Sequence, residues 1–155
     1  MEIVIISGGA GGNGRKLIET FATNESTNPK EIIVLDDFSS SDIDQFLLLQ
    51  DYIHTQGKHV ALYDFDITHK NMNHFIKERY SHVDCIYHFA RDKSNDSLKS
   101  LCVGYTGTRQ ILDLARHYNS KVYYKVRESE KTCDLVTEEL CRSYKQIFGL
   151  NIESC

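Results

Sequence analysis

The chain has 155 residues, 26% charged and 41% apolar, the balance of a single globular domain. Its formal net charge of -4, with no basic run to offset it, excludes a nucleic-acid backbone as partner. No apolar stretch reaches membrane-spanning length and no basic-then-apolar leader opens the chain, so no membrane partner is expected and the expected compartment is cytoplasmic.

In chain order, Ile3-Val4-Ile5-Ile6 reads as a short apolar strand. Ser7-Gly8-Gly9-Ala10-Gly11-Gly12-Asn13-Gly14 follows at once, and five of the nine glycines fall between positions 8 and 14. Residues 15–22 then carry apolar side chains at helical spacing. A strand, a glycine turn and a helix open a nucleotide-binding βαβ unit. The first turn of a helix has unpaired N–H groups and the positive end of the helix dipole, and glycine lets a phosphate approach them. The spacing is Gly8-x-x-Gly11-x-x-Gly14, looser than the commonest G-x-G-x-x-G fingerprint.

Pro29 sits in the turn before a second strand over Glu31–Leu35, which ends in Asp36-Asp37. Ser39-Ser40-Ser41-Asp42 can cap a helix through about Ile53. A third strand is expected over His59–Tyr63, then a helix over about Lys70–Tyr80 and a fourth strand over Val83–His88. One long helix is expected over about Ser97–His117, with Ile111, Leu112, Leu114 and Ala115 inward. A fifth strand follows over Lys121–Val126, and a last helix over about Thr132–Phe148 stops at Gly149. Leu150–Glu153 is a candidate sixth strand. Alternating strands and helices predict an α/β fold, a doubly wound parallel sheet in the order 3-2-1-4-5-6, forming one domain over 1–155. The cysteines Cys85, Cys102, Cys133, Cys141 and Cys155 include no C-x-x-C and read as reduced thiols, and no residues are assigned to a metal.

The candidate site gathers on the glycine turn. Gly8, Gly11, Gly12, Asn13 and Gly14 are the expected phosphate cradle. Asp36, 22 residues after Gly14, is placed to accept hydrogen bonds from ribose hydroxyls, with Asp37 beside it. A carboxylate there repels a 2′-phosphate, so NAD is expected over NADP, although Arg15 near the helix start offers a countercharge. Asp66 and Ile67 are placed to flank an adenine, and Phe89 and Ala90 to lie next to the cofactor. His88 reads as structural rather than catalytic.

These segments, together with Val34-Leu35-Asp36-Asp37-Phe38-Ser39-Ser40 and Asp84-Cys85-Ile86-Tyr87-His88-Phe89-Ala90, resemble the extended short-chain dehydrogenase/reductases. These are the NAD-dependent nucleotide-sugar epimerases and dehydratases. Residues 107–116 resemble the family's fourth helix, and Glu138-Glu139-Leu140-Cys141-Arg142-Ser143-Tyr144 with Phe148-Gly149-Leu150 resembles the helix that follows its catalytic tyrosine and lysine. The resemblance implies a Rossmann fold, an NAD site and a homodimer through the helices near 97–117 and 132–148. It also implies a serine or threonine, a tyrosine as acid/base and a lysine four residues after it.

The chain departs from that pattern. None of its nine tyrosines has lysine at i+4. Aligned on Glu138-Glu139-Leu140, the tyrosine position reads Glu130 and the lysine position Asp134. Lys125-Val126 stands where the serine pair is expected, Gly104 where an asparagine is, and Gly12-Asn13 where an aromatic–aliphatic pair is. The family's C-terminal substrate domain is expected to be absent. No catalytic residue is therefore assigned. The expected function is a catalytically degenerate dinucleotide-binding, regulatory or scaffold module. Two alternatives stay open: a minimal epimerase, dehydratase or reductase with relocated groups (Tyr123 or Tyr124 with Lys125, or Lys131), and an interaction-only protein.

Overall fold

The computed structural model describes residues 3–24, 29–126 and 128–155. Six parallel strands form one sheet in the order β3-β2-β1-β4-β5-β6. They are β1 (Ile3–Ser7), β2 (Glu31–Asp36), β3 (His59–Asp64), β4 (Cys85–His88), β5 (Lys121–Tyr124) and β6 (Ile152–Ser154). β1 lies at the centre, in register with β2 at Ile5↔Ile33 and with β4 at Ile5↔Ile86. A strand between two others in a sheet covered on both faces must be apolar throughout, which is why Val4, Ile5 and Ile6 follow one another and are all fully buried.

The pleat sends alternate residues into two cores. On one face, Val4, Ile6, Ile32, Val34 and Val60 pack under α1 (Gly12–Thr23) and α2 (Ile43–Thr55) through Ile18, Phe21, Phe46 and Ile53. On the other, Ile5, Ile33, Leu35, Ile86, Val122 and Ile152 pack under α3 (Met72–Arg79), α5 (Thr108–Tyr118) and α6 (Thr132–Phe148). Ile111, Leu112, Leu114 and Ala115 of α5 are all inward and fully buried, as their spacing requires.

Helix ends carry specific stops. Asp42, rather than the serines before it, caps α2, its Oδ1 accepting from the N–H groups of Asp44 and Gln45 at 2.9 and 3.3 Å. The Lys58 ammonium donates to the last-turn carbonyls of Phe21 and Ala22 at 2.6 and 2.8 Å, closing α1. Gly149 ends α6 at φ +66°.

The long helix expected over Ser97–His117 is not continuous. It begins as α4 (Ser97–Cys102), widens into a π turn over Val103–Gly107, and resumes as α5. Two glycines bracket the turn. A Cβ on Gly104 would lie 2.9 Å from the Cys133 backbone, and one on Gly107 would lie 2.5 Å from Ile67 Cδ1. The segment is squeezed between α6 and the loop after β3, and helical periodicity carries no sign of that.

No helix of the described residues is long and apolar enough to cross a membrane. Cys85, Cys133 and Cys141 are buried free thiols, and burial pushes Cys85 up to about 11 and Cys141 to about 12, so both stay protonated near neutral pH.

Candidate functional site

The sheet's strands end together, and β1 pairs with β2 on one side and β4 on the other. This is the topological switch point at which doubly wound sheets bind ligands. The glycine turn lies there. Gly8 N–H donates to Leu35 O at 2.8 Å, and Phe89 N–H donates to Ser7 O at 2.9 Å, tying the turn to β2 and the β4 end to β1.

The glycines divide into two groups. Gly8 has φ +70°, and a Cβ there would lie 2.6 Å from Ala90 N. A Cβ on Gly9 would lie 2.7 Å from Val34 Cγ1, and one on Gly14 only 2.4 Å from Gly9 Cα. These three are glycine because the fold requires it. Gly11 and Gly12 are different: a Cβ on Gly11 meets nothing nearer than 3.4 Å, and one on Gly12 meets nothing within 4 Å. Their bareness leaves open space at the start of α1. No side chain caps that helix and no carboxylate sits in its first turn, so its leading N–H groups and dipole are uncompensated.

A cleft open to solvent runs from Gly8 and Gly11 over Asp36 and Asp37 to Asp66 and Ile67, with Phe89 and Ala90 along its other wall. A second, open hollow continues from Gly11, Gly12 and Asn13 toward the start of α6. Ten of the eleven expected site residues line one or both. Gly14 lines neither and serves the contact between α1 and the turn.

Asp36 is 8% exposed. Its Oδ2 accepts from Ala10 N–H at 3.0 Å and its Oδ1 from Phe38 N–H at 2.8 Å. Burial pushes its pKa above the ordinary carboxylate value, and those two bonds oppose the rise. Two of the carboxylate's roughly four lone-pair sites remain for a ligand. Asp37 Oδ1 accepts from Ser39 N–H at 2.9 Å. Asp66 Oδ1 takes both the N–H and the hydroxyl of Thr68, at 2.8 and 2.7 Å. Arg15 turns away to Gln45, its NH1 donating to Oε1 at 2.9 Å.

His88 is fully buried beneath the site. Its Nδ1 is 2.6 Å from Ser7 Oγ and its Nε2 2.9 Å from Thr108 Oγ1, which is 3.1 Å from Thr137 Oγ1. All four residues are 2% exposed or less, so the chain is a structural strut joining β1, β4, α5 and α6. Desolvation, and to a smaller extent Arg91, hold the imidazole well below its usual pKa and therefore neutral.

Arg91 was not singled out by sequence. Its Nε is 3.3 Å from Asp134 Oδ1, with the two side chains 12% and 15% exposed. NH1 donates to Ala90 O at 2.8 Å and NH2 to Lys125 O at 3.3 Å, so one guanidinium straps together the ends of β4 and β5 and the start of α6. Asp134 Oδ2 also accepts from Ser129 Oγ. Lys93, Lys99 and Val103 also enter the cleft lining. A basic residue directly after Ala90 was the available signal, but its partner lies on a distant helix. Of the relocated groups considered, Tyr123 stacks on Tyr87 with centroids 4.9 Å apart on the α1 face, Tyr124 packs on the opposite face, and Lys125 pairs with Glu128 at 3.1 Å.

No protein-family model matches the chain, and no curated protein matches it. Solved structures do. A dTDP-glucose 4,6-dehydratase from Bacillus anthracis, solved with NAD, superposes with TM-score 0.76 at 20% identity, covering 99% of this chain and 54% of that one. An ADP-L-glycero-D-manno-heptose-6-epimerase from Helicobacter pylori gives 0.73 at 18%, covering 94% and 50%. An A1-type ketoreductase gives 0.84 at 12%, covering 99% and 36%. The chain spans about half the length, or less, of these structures. At such identities the likeness is one of architecture, and with the strand order it makes this chain a Rossmann-fold domain.

Proposed function

We propose that the chain binds a nicotinamide dinucleotide, NAD in preference to NADP, and works as a binding module rather than as an oxidoreductase. The observation that carries this reading is the bareness of Gly11 and Gly12, which packing does not require, beside an uncapped helix N-terminus and the buried Asp36 carboxylate. Gly11, Gly12 and Asn13 would hold the pyrophosphate on the α1 amides. Asp36 would take the ribose hydroxyls, with Asp37 beside it. Asp66 would accept from the adenine amino group while Ile67 meets the ring. The carboxylate of Asp36 disfavours a 2′-phosphate. NAD supplies hydride chemistry at its nicotinamide ring. The position at which the family resemblance expects a lysine carries Asp134, already paired with Arg91. That pair supports a binding role over turnover.

The test is a calorimetric titration with NAD and NADP on the intact chain and on Gly12→Ala. Saturable NAD binding, weakened by that substitution without loss of fold, supports the reading. Absence of binding at millimolar NAD overturns it. Steady NADH formation with a nucleotide sugar would overturn the non-catalytic part and restore the relocated-group alternative.

A homodimer through α4, α5 and α6 belongs to the same proposal. Leu98, Leu101 and Tyr105 recur at spacings of three and four along α4 and the π turn and are 80%, 45% and 46% exposed, and Leu135 of α6 is also exposed.

A further inference from the structure

We propose that Ser41 is a phosphorylation site whose phosphate fills the open space at the start of α1 and shuts the cleft to dinucleotide. The closing effect rests on the nucleotide reading above; the site itself does not.

The serine run before α2 was expected to cap that helix, and Asp42 caps it instead. Ser39, Ser40 and Ser41 are left lining the cleft, and their hydroxyls form no hydrogen bond among the described residues. Two features single out Ser41. Its Oγ lies 4.0 Å from the place a Cβ on Gly11 would take, at the edge of the space that Gly11 and Gly12 leave bare. It is followed at one and three residues by exposed carboxylates, Asp42 and Asp44. Ser40 has Ile43 at the third position, and Ser39 has Asp42, whose Oδ1 is taken up by the α2 amides. A kinase with a basic substrate groove selects serines by carboxylates placed as they are around Ser41. In the transfer, Ser41 Oγ attacks the γ-phosphorus of ATP. The new O–P bond forms as the bridge to the β-phosphate breaks, ADP leaves, and the hydroxyl proton passes to the kinase's carboxylate base.

The phosphate finds its countercharges within the chain. One P–O bond beyond Oγ, its oxygens enter the space over Gly11, where the leading N–H groups of α1 have neither a side-chain cap nor a first-turn carboxylate. Arg15, in the first turn of α1, donates to Gln45 in the first turn of α2 at 2.9 Å and has no carboxylate partner among the described residues. Its guanidinium and Ser41 therefore sit at the same end of α2, where a phosphate can draw it into a charge-assisted pair. The nearest carboxylates have donors of their own: Asp42 the α2 amides, Asp36 the N–H groups of Ala10 and Phe38. A phosphate so held takes the donors a pyrophosphate would use, and its charge repels one.

The experiment treats the full chain with ATP and an acid-directed serine/threonine kinase, maps the phosphate by peptide mass spectrometry, and follows the purified phosphoprotein by thermal melting and by titration with NAD. Phosphate is expected on Ser41 and on no serine of Ser41→Ala. The melting temperature should rise by roughly 3 °C, because orphan helix donors gain a partner, and this rise should shrink in phosphorylated Arg15→Gln. The NAD dissociation constant should rise at least about tenfold. No phosphate at Ser41 overturns the proposal, and so does a phosphoprotein that melts no higher than the unmodified chain. NAD binding within about twofold of the unmodified chain overturns the closing effect. If the unmodified chain binds no NAD, the nucleotide reading and the closing effect fall together, while the mapping and melting still decide the site.

Discussion

Asp36 illustrates how one residue serves the fold and the site together. Its carboxylate holds the glycine turn through Ala10 and the next loop through Phe38, yet it stays ionisable at the edge of the cleft. Asp36→Asn keeps an acceptor in place and removes the charge. NAD affinity is expected to fall about tenfold, the worth of one charge-assisted hydrogen bond, as read by titration. The glycines separate by the same logic. Gly14→Ala is expected to cost roughly 3 kcal/mol in a urea melt, because its methyl would overlap Gly9. Gly12→Ala should leave stability equal or slightly raised, since a helical position gains a methyl in open space. His88 provides a pH signature. Its pKa is lowered in the folded state, so below the unfolded value of about 6.5 the unfolded chain binds a proton that the native one does not. Stability then falls with falling pH. Between pH 6.5 and pH 5 the loss is expected to be roughly 2 kcal/mol larger in the wild type than in His88→Phe, measured by urea melts at the two values.

At the scale of elements, strand positions were legible because central parallel strands must be apolar on both faces; Val4–Ile6 and Ile32–Leu35 admit no other reading. The last helix was legible at both ends, since Gly149 supplies the left-handed stop. The break between α4 and α5 was not, because it arises from what Gly104 and Gly107 meet across space, at Cys133 and Ile67. Lys58 was equally hidden: a charged residue before β3 gives no sign that it closes α1. Lys58→Met is expected to lower stability by about 1–2 kcal/mol in thermal or urea unfolding, through loss of two charge-assisted bonds at a helix C-terminus.

For the whole molecule, the sheet brings four distant segments to one rim: the glycine turn, the β2 end with Asp36, the β3 end with Asp66–Ile67, and the β4 end with Phe89–Ala90. Exposed apolar residues along α4 and the π turn remain on the outer surface. Light scattering at high concentration is expected to report a dimer, and Leu98→Glu with Leu101→Glu to report a monomer with unchanged circular dichroism. A monomeric wild type would remove the dimer proposal.

The sequence by itself determined the strand–helix alternation, the strand order and the residues that surround the glycine turn, because period-2 and period-3.6 patterning, chain chirality and glycine's backbone freedom are local properties. Only the tertiary structure decided which glycines are bare without a packing reason, that Gly14 faces inward, that His88 anchors a buried strut, and that Arg91 locks onto Asp134. Each of these depends on which surfaces meet when the sheet closes, and a charge or a methyl has no fixed meaning until its neighbours across the fold are in place.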